Sequence, residues 1–153
     1  MLISYFAYGS NMDEQAMRMQ CPSSRCLGSA CIDEHRLAFT RRSVLSGTGV
    51  ADVVAASCSE VWGVLYELSD RDIDTLDRKE GYGWAYTRER KPVWLAADCS
   101  KCDAIIYTVL VKERSEVWPS REYLDRLVVA AERHVFPQDY IATLKAIRST
   151  DRE

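Results

Sequence analysis

The sequence predicts an α+β domain: a curved, mainly antiparallel sheet or small barrel with helices packed against it. Three observations predict this. Runs rich in β-branched and aromatic residues fill most of the chain up to about residue 111. These runs do not alternate strictly with helical patterns, as a doubly wound parallel sheet would require. Beyond them the apolar residues recur at helical spacing. A chain of 153 residues fits one domain, 1–153. A domain of that size hides roughly 70% of its unfolded surface and needs no staples.

Leu2 to Ala7 is an apolar run that reads as a buried strand, closed by Tyr8-Gly9-Ser10-Asn11. Asn11 to Gln20 reads as a short helix. Asn11 and Glu14 have the spacing of a capping box, with Met12, Ala16 and Met19 near one face and Pro22 as the stop. Cys26 to Thr40 alternates loosely and reads as one long strand through Leu37-Ala38-Phe39. Arg41 to Gly49 is rich in Ser, Thr and Gly and reads as a flexible loop. Ala51–Ser57 and Val61–Leu68 read as two strands.

Ser69 should cap a helix that runs through Lys79, with Ile73 and Leu76 inward and Gly81 as a left-handed C-cap. Trp84–Ala97 and Ala104–Val111 read as two further strands, with Cys99-Ser100-Lys101-Cys102 as the polar turn between them. Ser120 to Val135 carries Leu124, Leu127, Val128, Ala131 and Val135 on one stripe. Pro137 opens a last helix, where its missing N–H costs nothing, with Ile141, Leu144 and Ile147 as the apolar face.

The composition is that of an ordinary soluble protein, with 47% hydrophobic and 28% charged residues. A net charge of −3 argues against a nucleic-acid partner. No apolar run approaches the ~20 residues that span a bilayer, so no membrane partner is expected. Met1-Leu2-Ile3-Ser4 has no basic leader character, which points to a cytoplasmic protein with reduced thiols. Six cysteines include one CxxC pair, and the two histidines, His35 and His134, are not paired at ligand spacing. No metal and no cofactor are expected.

Two places carry the chemistry. Gly9 lets the chain turn sharply and a ligand approach the backbone. Successive N–H groups at such a turn suit a small carboxylate or an oxyanion. Asp13 and Glu14 would repel a polyphosphate, and no phosphate-loop pattern is present. The same residues also suit a plain strand-to-helix turn. Glu80 is a carboxylate at the C-terminus of a helix, which the dipole disfavours by up to ~1 kcal/mol. Such a break of a local rule is typical of functional sites. In an apolar pocket near Tyr82, Trp84 or Tyr86, desolvation would raise its pKa and make it a general acid and base. On the surface it would pair with Arg78, Lys79 or Arg88 instead. Ser10 lacks both a G-x-S-x-G setting and a histidine placed by sequence to activate it. His134 reads as the end of its helix, where a cation is favoured.

Taken in order, Y-G-S-N at 8–11, E-V-W-G-V at 60–64, L-D-x-x-E-G at 76–81, Pro119-Ser120-x-x-Tyr123 and Leu144-Lys145-Ala146-Ile147 resemble the γ-glutamylcyclotransferase family. The resemblance covers nearly the whole chain. It implies a small closed or nearly closed β barrel with packed helices. It implies Glu80 as the catalytic acid/base, Tyr8, Gly9, Ser10 and Asn11 as the substrate-binding loop, and Tyr86 and Tyr123 as pocket tyrosines. The implied reaction releases 5-oxoproline and a free amine without a cofactor. Asn11 also bears on the branch, because glutathione-specific relatives tend to carry Leu there and γ-glutamylamine-specific ones carry Thr in place of Ser10. The chain therefore looks most similar to the branch acting on free γ-glutamyl amino acids, or to bacterial relatives that unblock a γ-glutamyl-protected amine. A non-catalytic module binding a small metabolite or protein on the same fold is the alternative. Specificity would sit in loops such as Arg41–Gly49, where Arg41 and Arg42 could read a second carboxylate, and Lys112–Trp118. Trp94 and Trp118, if exposed, would mark an interface or cover the core, which leaves a homodimer open.

Overall fold

The structure is a computed structural model and describes residues 2–150. Five strands close into a barrel: β1 (Ile3–Ala7), β2 (Arg25–Arg42), β3 (Gly49–Leu68), β4 (Tyr86–Leu95) and β5 (Lys101–Val109), in the order β1-β3-β2-β4-β5. All pairings are antiparallel except the closure, where Tyr5 of β1 faces Ile105 of β5 in parallel. Helices α1 (Glu14–Gln20), α2 (Asp70–Glu80), α3 (Arg121–Arg133) and α4 (Gln138–Lys145) pack around it. Phe6, Leu65, Tyr66, Leu76, Ile106 and Leu127 are fully buried and join strand and helix contacts into one core. No helix among the described residues is long and apolar enough to cross a membrane.

The two strands expected over 51–57 and 61–68 are one strand, β3. It pairs with β2 from Arg42↔Gly49 to Arg25↔Glu67. The polar stretch between them is a bulge, with Glu34 and Cys58 at φ 58° and 61° where the register shifts between Asp33 and His35. A bulge bends a ribbon without ending it, because the ladder resumes on both sides. Gly63 of the E-V-W-G-V stretch lies where β1 crosses closely. A Cβ there would run into the Ala7 carbonyl and come 2.7 Å from the Phe6 ring.

The N-terminal helix starts later than the sequence predicts. Asp13, not Asn11, is its N-cap and accepts from the Gln15 N–H at 2.9 Å and the Ala16 N–H at 3.3 Å. Asn11 instead lies in a single 3₁₀ turn, Ser10–Met12, and is buried. Its amide is occupied elsewhere, so it cannot cap. The shift also changes the buried face: Met17 is buried, and Met19 is 79% exposed.

Helix α2 follows expectation closely. Ser69 and Asp72 form a full capping box, and Gly81 is the C-cap at φ 69°. The last helical residue is Glu80. After it the chain winds tightly, with the Gly81 carbonyl accepting from the Trp84, Ala85 and Tyr86 N–H groups, so β4 begins at Tyr86 and not at Trp84. At the C-terminal end α3 stops at Arg133, capped by His134, and Val135 swings outward at φ 57° with Phe136 taking the core position. Pro137 is the N-cap of α4, and Ile147 lies beyond that helix, half-buried against the core. Trp94 and Trp118 are partly exposed, each under a cation, Lys101 and Arg148.

Candidate active site

At one end of the barrel the C-terminus of β1, the C-terminus of α2 and the starts of β4 and α3 converge on a cavity of about 440 Å³. Concavities of this size hold small molecules. Every residue expected to act lines it: Tyr8, Gly9, Ser10, Asn11, Glu80, Tyr86 and Tyr123.

The position of Glu80 begins with Asp77, one turn earlier on α2. Asp77 accepts both Arg88 donors, at 2.9 and 3.0 Å, and the Tyr107 hydroxyl at 2.6 Å. That bidentate pair fixes the end of α2 against β4 and β5. It also removes Arg88 as a partner for Glu80. No basic group among the described residues lies within salt-bridge distance of Glu80. The surface pairing with Arg78, Lys79 or Arg88 is therefore not formed.

Glu80 turns inward. Its Oε2 accepts from the Asn11 Nδ2 at 3.4 Å. Burial pushes its carboxyl above the ordinary range, against the opposing pull of the Lys79 ammonium and the Asn11 hydrogen bond. The aromatic surroundings differ from expectation. Tyr82 and Trp84 point outward, 45% and 68% exposed, because the left-handed turn at Gly81 throws the next residues onto the surface. There Tyr82 lies under Arg88 and Trp84 under Arg41. Only Tyr86 of that trio reaches the cavity.

Asn11 organises the floor. Its Nδ2 donates to the Tyr5 hydroxyl at 2.9 Å, and its Oδ1 accepts from Lys79 Nζ at 2.6 Å and Gln20 Nε2 at 3.2 Å. Its own carbonyl accepts from the Tyr66 hydroxyl at 2.9 Å, which ties the turn to β3. Next to it, Gly9 leaves room for the Tyr123 hydroxyl, which a Cβ would approach to 3.3 Å. The Ser10 and Asn11 N–H groups, the first of the 3₁₀ turn, find no acceptor among the described residues. They are open donors beside the cavity.

Three tyrosines converge on the Ala51 peptide of β3 or the Tyr107 carbonyl of β5. Tyr123 accepts from the Ala51 N–H at 3.1 Å, Tyr86 donates to the Ala51 carbonyl at 3.0 Å, and Tyr8 donates to the Tyr107 carbonyl at 2.6 Å. Burial pushes all three phenols up, Tyr123 to about 12, so they stay neutral at physiological pH. Ser10 is exposed, and both histidines bond backbone carbonyls instead, His35 that of Asp33 and His134 that of Met12.

Sequence reasoning missed Tyr5, Tyr107 and Lys79, which also line the cavity. Tyr5 and Tyr107 sit in apolar strands, where a tyrosine is unremarkable. Lys79 was legible only as a surface partner for Glu80. Of the two loops expected to set specificity, the β2–β3 turn contributes Ser43 and Leu45, and the segment after β5 contributes nothing to the cavity. That second segment is tied down by Lys112 to Asp52 and by Glu116 to Arg36. Among the described residues two groups could offer metal ligands, Glu14 with Cys26 and His134, and Cys31 with Asp33 and Glu60. Neither lines the cavity, and burial holds both thiols protonated, at about 11 and about 12.

Residues 60–144 match the family model described as the AIG2-like family. A γ-glutamylcyclotransferase from Homo sapiens is 27% identical over 153 residues, covering 96% of this chain and 79% of that protein. One from Bos taurus is 24% identical with the same coverage. Among solved structures, a γ-glutamyl cyclotransferase superposes with a TM-score of 0.91 at 24% identity, covering 99% of this chain and 91% of the other. A yeast γ-glutamyl cyclotransferase specific to glutathione superposes with a TM-score of 0.68 at 14% identity, covering 94% and 93%.

Proposed function

The chain belongs to the AIG2-like family, and we propose that it is a γ-glutamylcyclotransferase-type enzyme that releases 5-oxoproline and a free amine or amino acid, with Glu80 as its general acid and base. One observation carries the reading most: a carboxylate with a raised pKa, without an ion pair among the described residues, faces a tyrosine-lined cavity beside the backbone N–H groups of Ser10 and Asn11.

In this reaction the α-amine of the γ-glutamyl group attacks its own γ-carbonyl and expels the amine of the next unit. The attack is intramolecular, so the site mainly has to fold the substrate into a reactive shape. Glu80 takes the proton from the attacking amine and returns it to the leaving amine. Burial raises its pKa, which makes the carboxylate a stronger base than an exposed glutamate. The Ser10 and Asn11 N–H groups serve an anionic oxygen of the substrate. Tyr8, Tyr86 and Tyr123 form the neutral wall that shapes the chain into its ring. No metal or cofactor is required by these steps.

Ser43 and Leu45 of the β2–β3 turn meet the leaving group at the cavity mouth. Asn11, in the Y-G-S-N form, favours free γ-glutamyl amino acids or a γ-glutamyl-capped amine over glutathione. A cytoplasmic setting accords with six cysteines left as thiols. Partners are small γ-glutamyl compounds, not nucleic acid or membranes, and partly exposed Trp94 and Trp118 leave a surface for a homodimer.

The test is 5-oxoproline release from γ-glutamyl dipeptides, glutathione, γ-glutamyl-ε-lysine and a γ-glutamyl-capped primary amine, with Glu80→Gln alongside. Release from one class, reduced about 100- to 10,000-fold in the variant, is expected. No release from any of them by folded wild type would overturn the reading in favour of a non-catalytic binding module.

A further inference from the structure

Lys79 is the one ammonium lining the cavity among the described residues. Lys79 is exposed as a residue at the end of α2, yet its ammonium reaches the cavity floor. Nζ meets Asn11 Oδ1 at 2.6 Å, a neutral acceptor. No carboxylate among the described residues lies within salt-bridge distance of it, whereas Lys91, Lys112 and Lys145 each have one. A cation partly withdrawn from water onto a neutral acceptor is favoured by a counter-anion. Burial indeed pushes its ammonium pKa down, with Glu80 opposing. Asn11 stands between the two charges, its oxygen on the cation and its Nδ2 on the carboxylate, and holds them apart. The cavity thus presents one positive and one negative group side by side, each without an ion-pair partner among the described residues.

A γ-glutamyl head group carries a carboxylate and an amine on one carbon. We infer that Lys79 binds the α-carboxylate of the substrate while the α-amine is delivered to Glu80. The inference rests on the proposed cyclotransferase reading and adds a recognition residue to it. In the reaction the α-nitrogen forms a bond to the carbonyl carbon of the γ-glutamyl amide, the bond from that carbon to the leaving nitrogen breaks, and one proton passes through Glu80 between the two nitrogens. The α-carboxylate takes no part in these changes. A head group without it can still cyclise, which makes the carboxylate a recognition element that can be deleted from the substrate.

The experiment compares a γ-glutamyl amide with the 4-aminobutyryl amide of the same amine, which yields 2-pyrrolidinone by the same bond changes. Wild type, Lys79→Met and Lys79→Arg are assayed on both, with circular dichroism as the check on folding. Lys79→Met is expected to lower kcat/KM for the γ-glutamyl amide by about 10- to 100-fold, the loss of a hydrogen bond to a charged group. Most of the loss should fall in KM. Turnover of the 4-aminobutyryl amide should change only through the pull of Lys79 on Glu80, which acts on both substrates alike, so the preference for the γ-glutamyl amide should fall and Lys79→Arg should restore part of it. If that amide turns over too slowly to assay, inhibition by 5-oxoproline gives the same comparison, with 2-pyrrolidinone as its carboxylate-free counterpart. An equal fall on both substrates, or 5-oxoproline inhibition unchanged in Lys79→Met, overturns the inference and leaves the cyclotransferase reading standing. Absence of 5-oxoproline release by wild type overturns both.

Discussion

The Asn11 amide donates to the Glu80 carboxylate at 3.4 Å across 69 positions of sequence. A hydrogen bond to the charged form stabilises it, so Asn11 restrains the rise that burial imposes on Glu80. If Glu80 is the base, the rate should climb with pH through a value above its ordinary 4.5. Asn11→Ala made beside Lys79→Met, and compared with Lys79→Met alone, removes that restraint without letting a freed ammonium pair with Glu80. The acid limb of the kcat/KM–pH profile should then move to higher pH. An unmoved or lowered limb, measured by 5-oxoproline release, would show that Asn11 does not tune Glu80.

The same burial has a consequence for stability. The folded-state pKa of Glu80 lies above its unfolded value. Its contribution is therefore fully present below pH 4.5 and is lost as pH rises through the folded value. Glu80→Gln, which never ionises, should melt higher than wild type near neutral pH, and the gap should close toward pH 4. Lys79 and the neutral phenols of Tyr5, Tyr8, Tyr86 and Tyr123 surround the group, and only Lys79 among them pulls the other way. Thermal melts of the two proteins across pH 4 to 8 read the sign.

Tyr123 is expected to be structural as well as a wall of the cavity. Phenylalanine keeps its packing against Phe39 but leaves the Ala51 N–H without an acceptor. An unsatisfied buried donor costs about 1–3 kcal/mol. Tyr123→Phe should lower the free energy of unfolding in urea by that amount. A variant as stable as wild type would mean that water replaces the hydroxyl.

Gly63→Ala tests the tight crossing of β1 over β3. The added methyl would meet the Ala7 carbonyl and the Phe6 ring, and overpacking of this kind costs about 1–3 kcal/mol. Ala7 leads directly into the turn that bears Asn11, so activity should fall with stability. Gly47→Ala makes a useful contrast. Its Cβ would meet nothing within 4 Å, so any cost there comes from the positive φ of 72° alone.

Much of this molecule was legible in the sequence because the signals involved are local. The Ser69 cap, the Gly81 stop and the inward Ile73 and Leu76 follow from patterns within one short stretch, Ser69 to Gly81, and α2 forms as expected. The Y-G-S-N turn and Glu80 were legible as candidates because each breaks or satisfies a rule of its own neighbourhood. What misled was competition between local options. Asn11 and Asp13 can each cap a helix, and the choice went to Asp13 because Asn11 finds Glu80, Tyr5 and Lys79 at longer range. The Ser57-Cys58-Ser59 break looked like a strand end because a bulge and a turn share polar composition, and only the β2 partner tells them apart.

The sequence by itself determined the strand and helix order, the turn at Gly9 and the placing of a carboxylate at the end of α2, since each depends on backbone preferences and on neighbours a few residues away. Tertiary structure alone decided which way Glu80 faces and what surrounds it. Arg88 is drawn off by Asp77, Lys79 is drawn in by Asn11, and tyrosines from three strands, the turn after β1 and a helix supply the low-polarity wall. Those choices depend on barrel closure, which brings β1 beside β5 and sets the register that no single stretch of sequence encodes.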